Sequence, residues 1–146
     1  MNTMEKTFAE MFNEKPITDF DTGIARVYNR CLKKRPSEIN LDDLCFLIRQ
    51  NCFPKVIIPM GLKELQKNPW AGAGYKGQLL YSFACSLILD DDTKKKLHDL
   101  IIKLNPNEVD PDFSIKESYI NDTLGKFKRH GIISEYEFDE KRKEIC

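Results

Sequence analysis

Pro36–Leu89 reads PSEINLDDLCFLIRQNCFPKVIIPMGLKELQKNPWAGAGYKGQLLYSFACSLIL, and its punctuation decides the fold. Asn40 is a good N-cap, and Asp42 and Asp43 fall in the first turn, where carboxylates complement the helix dipole. Leu41, Leu44, Cys45 and Ile48 then form one apolar stripe at helical spacing, widened by Phe46 and Leu47. Pro54 permits a new helix to start. Pro59 falls inside its pattern, so the spacing predicts a kink or a short turn before a helix proper over Met60–Lys67, ended by Asn68-Pro69. Gln78–Leu89 is apolar nearly all round, as expected of a helix at the centre of a bundle. Three packed helices joined by tight connections follow, and none of this stretch has the look of a catalytic site.

Working outward, Met4, Phe8, Met11 and Phe12 predict a short amphipathic helix broken by Pro16. Asp21 is placed to cap a second helix whose apolar face is Ile24, Val27, Tyr28, Cys31 and Leu32, closed before Pro36. Asp90-Asp91-Asp92 opens a helix carrying Leu97, Leu100, Ile101 and Leu104. Residues 105–113 (NPNEVDPDF) form an acidic linker with two prolines. Ser114-Ile115-Lys116-Glu117 has the form of a capping box, opening a helix through Ile120, Leu124 and Phe127 to Arg129, with Gly131 as its C′ residue. Ser134-Glu135-Tyr136-Glu137 is a second box, opening a last charged helix, so that helices fill 114–146. Only Val56–Ile58 and residues 131–133 suggest short extended pieces. The expectation is an all-α fold: a single compact bundle of seven or eight helices over residues 1–146, without internal repeats.

The composition is that of a globular chain. It has 146 residues, 41% hydrophobic and 32% charged, enough to bury about two thirds of the unfolded surface. No apolar run approaches the ~20 residues of a membrane helix. The amino-terminal MNTMEKTFAEMFNEK carries acids and lacks an apolar core, so no signal peptide is expected and the cytoplasm is the expected compartment. Cys31, Cys45, Cys52, Cys85 and Cys146 are odd in number and unpaired in spacing, which suits reduced thiols rather than a disulfide or metal framework. Charge is balanced, 23 basic against 23 acidic residues. That is not the balance of a nucleic-acid binder. Three small basic clusters, Lys33-Lys34-Arg35, Lys94-Lys95-Lys96 and Lys126-Lys128-Arg129, fall on or at the ends of predicted helices.

Motifs for chemistry are lacking. No Ser/His/Asp grouping, paired catalytic carboxylates or HExxH is present, and His98 and His130 stand alone. Gly72–Gly77 matches GxGxxG, but that fingerprint needs a strand before it, and here a helix precedes. The Asp90–Asp92 triplet is explained by a helix start. No catalytic residue, cofactor or metal is expected. Trp70 and Tyr75 remain as candidate aromatic contacts, Trp70 alternatively covering one end of the core.

The succession Pro36, Leu41-Asp42-Asp43-Leu44, Leu47-Ile48-Arg49-Gln50, Pro59-Met60-Gly61-Leu62 with Leu65, Asn68-Pro69-Trp70, Tyr75 and Gly77-Gln78-Leu79-Leu80 resembles the immunity proteins of bacterial contact-dependent growth inhibition (CDI) systems. The resemblance implies a cytoplasmic, non-enzymatic protein that binds the cognate toxin C-terminal domain and blocks its active site or access to substrate. Such toxins are often nucleases, and a nuclease inhibitor gains from placing carboxylates where phosphates would bind. The C-terminal third holds 10 acidic and 8 basic residues. Its candidate toxin-binding residues are Glu108, Asp110 and Asp112 in the linker, with Glu135, Glu137, Asp139 and Glu140 beyond it. The competing reading is a helical nucleic-acid-binding or regulatory module that uses Lys94–Lys96 and Lys126–Arg129.

Overall fold

The computed structural model describes residues 5–146 and is all-helical. Eight α-helices are present among these residues: α1 (Phe8–Phe12), α2 (Gly23–Leu32), α3 (Leu41–Arg49), α4 (Pro54–Lys67), α5 (Gln78–Cys85), α6 (Asp91–Ile102), α7 (Phe113–Arg129) and α8 (Glu135–Lys143). Single 3-10 turns at Pro36–Glu38 and Pro106–Glu108 lie in the α2–α3 and α6–α7 connections. Met4, expected in the first apolar stripe, lies outside the described residues.

The core is built around α5. Leu79, Leu80 and Phe83 are fully buried, and α5 packs between α3 and α7 while α4 covers α3 and leans on α6. One hydrophobic cluster runs from Phe8 through Leu47, Ile57, Leu65 and Phe83 to Phe127 and Phe138. Gly61 is where α4 comes closest: a Cβ there would stand 2.6 Å from Ile48 Cδ1 and 2.8 Å from Phe83 Cζ. Phe8, Phe12, Tyr28 and Phe53 stack at one end, tying α1 and α2 to the α3–α4 corner.

The caps at Asn40, Asp90 and Ser134 form as the sequence predicts, and Gly131 takes the left-handed conformation after α7 (φ 74°). Several expectations change. Thr22, not Asp21, caps α2, its Oγ1 accepting from the Ala25 N–H; Asp21 instead pairs with Arg26 at 3.2 Å. Pro59 does not delay α4, which runs without a break from Pro54 to Lys67, and Val56–Ile58 is helical. Pro59 is exposed, so the Lys55 carbonyl it leaves unbonded faces water, while buried Ile57, Ile58, Gly61, Leu62 and Leu65 hold the helix on both sides. Helix α5 stops at Cys85 rather than Leu89. Asn51 Oδ1 accepts from the Ser86 hydroxyl (2.8 Å) and the Leu87 N–H (3.1 Å), pulling the chain out of the helix and leaving Leu87 and Ile88 exposed. Finally, α7 is capped by Asp112, whose Oδ1 accepts from the Ile115 N–H at 3.2 Å, so the Ser114–Glu117 box does not form and the linker ends one residue early.

Asp43 does more than favour a helix start. Its side chain is fully buried and accepts from Lys34 Nζ (2.5 Å) and Arg30 (2.8 Å) at the end of α2, while its N–H donates to Asn40 Oδ1. Burial alone would raise this carboxyl, but the Lys34 and Arg30 bonds and the Asn40 N–H hold it below its ordinary value.

Candidate functional site

The linker, the start of α7 and the end of α8 meet beside the glycine loop. Trp70 is buried and meets Tyr119 edge-on at 5.7 Å, and its indole N–H donates to Glu108 at 3.2 Å. Trp70 thus covers the end of the core. The Tyr119 hydroxyl donates to the Gly77 carbonyl at 2.7 Å, and burial pushes this phenol strongly upward, so it stays a neutral donor. Gly77 has φ 88°, and a Cβ there would lie 2.6 Å from the Tyr119 ring, so glycine is required on two counts. The loop is a structural turn closed by the Gly77 N–H on the Trp70 carbonyl.

From the other side, buried Lys116 donates to the Cys146 carbonyl (3.2 Å) and Asn107 Oδ1 (3.4 Å), and the Cys146 N–H also donates to Asn107 Oδ1 at 2.9 Å. Buried Lys141 donates to the Leu104 carbonyl at 2.7 Å, pinning α8 onto the end of α6.

On this rigid base the first two turns of α7 stand out as a ridge between two grooves. Residues 113 and 117 lie one above the other on one helix face, 115 and 119 on another. Ile115 and Tyr119, with Tyr75, Lys76, Val109, Asp110 and Pro111, line a groove of about 380 Å³. Phe113 and Glu117, with Asp139, Arg142, Lys143 and Ile145, line a second of about 360 Å³. Phe113 is 51% exposed, Ile115 50% and Tyr75 50%.

The predicted acids divide between this place and others. Asp110 lines the first groove and Asp139 the second; Asp112 caps the ridge, and Glu108 stands behind it on Trp70. Glu140 pairs with Lys143 at 3.3 Å. Glu135 and Glu137 begin α8 at its far end. There Glu137 closes the Ser134 capping box and meets His98 Nε2 at 2.7 Å. The Ser134 N–H, and then His98, hold Glu137 below its ordinary value, and Glu137, with help from Asp99, raises His98. Phe113, Ile115 and Glu117 escaped the sequence reasoning. Ile115 carried a signal, since it lies about 140° around the helix from the core residue Ile120. The basic clusters are partly occupied: Lys34 pairs with Asp43, Lys96 with Asp92 and Lys126 with Asp122, and Lys128 lies over the Phe138 ring.

Among the described residues no group of three or more His, Cys, Asp or Glu could hold a metal ion, and no helix is long and apolar enough to cross a membrane. The α7 ridge offers a contact surface, exposed aromatic and aliphatic side chains with charged groups of both signs around them. A family model described as CDI immunity proteins matches residues 10–100, well over half of the chain. The chain belongs to the CDI immunity protein family. That family is generally non-enzymatic, and membership supports a role as the immunity protein for a CDI toxin. The matched span of this CDI immunity protein runs from α1 to near the end of α6 and includes the α3–α4–α5 core. The linker, α7 and α8 lie beyond it. No curated protein matches the chain.

Proposed function

We propose that this immunity protein acts in the cytoplasm of the cell that makes it, binding the C-terminal domain of a cognate CDI toxin, a nuclease, and covering its active site or the path of its substrate. The family match carries this reading. Its nuclease component is supported by the carboxylates around the α7 ridge. With the Lys143–Glu140 pair set aside, Asp110, Asp112, Glu117 and Asp139 outnumber Lys76 and Arg142 there. A cleft that holds nucleic acid is basic, and an acidic partner is attracted to it over distances of about a Debye length, which raises the association rate. The family core would then act as scaffold, and the more variable task of recognising one toxin would fall to the elements beyond residue 100.

The test is co-purification with the toxin domain encoded directly upstream, followed by titration calorimetry and a nuclease assay on that domain. Nanomolar association with loss of nucleic-acid cleavage is the expected result. Absence of association with a folded upstream domain refutes the reading, and association that leaves cleavage intact refutes its inhibitory part.

A further inference from the structure

We propose that the first two turns of α7 are the anchor on which the toxin domain seats: Phe113 and Ile115 supply the apolar contact on either side of the ridge, and the groove beside Ile115 receives a basic side chain of the partner. This rests on the toxin-binding reading above and assigns it a surface.

Three observations meet at this place. First, Phe113, Ile115 and Tyr75 are each about half exposed at a helix start and a loop tip, positions where nothing in the fold requires apolar side chains. Second, carboxylates are in modest excess around them: with the Lys143–Glu140 pair set aside, Asp110, Asp112, Glu117 and Asp139 stand against Lys76 and Arg142. Asp110 has one carboxylate oxygen bonded to the Asp112 N–H, and among the described residues Glu117 and Asp139 have no ion-pair partner. The other exposed apolar places differ. Beside Phe20 and Ile24, Asp21 is already paired with Arg26, and the groove beside Ile88 has lysines in excess, three against two aspartates. The α7 ridge thus offers apolar contact with carboxylates in excess beside it, which fits a basic, apolar-centred partner surface. Third, the ridge is held in advance by Lys116, Tyr119 and Trp70, so little conformational freedom is lost on binding.

The groove beside Ile115 has the chemistry for a lysine or arginine. Tyr75, Tyr119, Val109 and Pro111 provide walls for an aliphatic stem, and Asp110 stands at the edge to meet the charged head.

The experiment measures association and dissociation rates of the whole chain with the upstream toxin domain. Because Phe113 and Ile115 are about half exposed, F113A and I115A are expected to lower the unfolding midpoint only slightly and leave the chain folded, while the double variant weakens binding about 30-fold, mainly through faster dissociation. A pair of charge variants adds a sign: I115K weakens binding several-fold more than I115E if the partner surface is basic. L87A/I88A, on another exposed apolar stretch, keeps wild-type affinity. Wild-type binding with F113A/I115A within about twofold of it overturns this surface but leaves the proposed function standing. Equal losses for I115K and I115E overturn the basic partner, and a loss centred on L87A/I88A moves the anchor elsewhere. Failure of the wild-type chain to bind the toxin domain refutes the proposed function itself.

Discussion

Replacing Asp43 by asparagine keeps the side-chain shape and an oxygen for the Asn40 N–H but removes the charge that Lys34 and Arg30 share. The cost can be worked from the geometry. Asp43 is fully buried, and Lys34, with its side chain only 24% exposed, bonds it at 2.5 Å. A charge-assisted hydrogen bond of that kind contributes about 1.5–3 kcal/mol, and reducing it to a neutral one removes about half. The Arg30 side chain is 54% exposed, so screening by water limits its share to less than about 1 kcal/mol. Asp43→Asn is therefore expected to cost about 2 kcal/mol, and Asp43→Ala, which also loses the capping oxygen, about 1 kcal/mol more. In urea at pH 7, with a slope of about 2 kcal/mol/M, the asparagine variant should unfold with a midpoint about 1 M lower. The pH dependence gives a second handle. The folded-state carboxyl lies below its ordinary value, so its contribution is present above the unfolded value of about 4 and is lost as pH falls through the folded one. The gap between wild type and Asp43→Asn should thus be constant from pH 7 to about 4 and close below that. A midpoint shift under about 0.2 M at pH 7 would refute the view that Asp43 clamps α2 to α3.

Other predictions follow from the same geometry. The triple variant E108Q/D110N/D112N keeps the oxygens that accept from Trp70, from the Asp112 N–H and from the Ile115 N–H, yet removes three charges. Toxin association should slow by about tenfold at low salt with the melting temperature preserved, and stopped-flow rates at two ionic strengths would show it. Gly77→Ala meets both a positive φ and the Tyr119 ring, so calorimetry should find it destabilised by about 2–4 kcal/mol. His98 is raised above 6.5 by Glu137 and Asp99, so its contribution is complete below pH 6.5 and is lost as pH rises through the folded value. His98→Gln should therefore destabilise more at pH 6 than at pH 9, and a gap of equal size at both would count against the pair.

What could be read from the sequence was local. Asn40, Asp90, Ser134 and Gly131 act within one turn of themselves, so residue type and spacing were enough to place four helix ends. The misreadings have two sources. At α2 and α7 neighbouring residues competed for the cap, and Thr22 and Asp112 took it rather than Asp21 and Ser114; the others involve partners far along the chain or a solvent face. Helix α5 ends early because of Asn51, 35 residues upstream of Ser86. Pro59 is tolerated because packing on α3 and α5 holds the backbone while the proline itself lies on the exposed face of α4. At the candidate site the excess of carboxylates was visible as composition, but their sorting was not. The chain had to fold before Asp110 and Asp139 could be told apart from Glu137, which is committed to a cap and to His98. Ile115 shows the other limit: its departure from the core stripe is detectable, whereas its place beside Tyr75 comes from the Tyr119–Gly77 bond.

Trp70 is the chain's single tryptophan, and it is wedged between the core and the linker with its indole N–H on Glu108. The molecule therefore carries a built-in spectroscopic reporter. A partner that grips the linker and shifts Glu108 is expected to change the surroundings of this buried indole, so occupancy of the α7 ridge can be followed by a spectral shift in unlabelled protein whenever the partner's own tryptophans are absent or have been replaced.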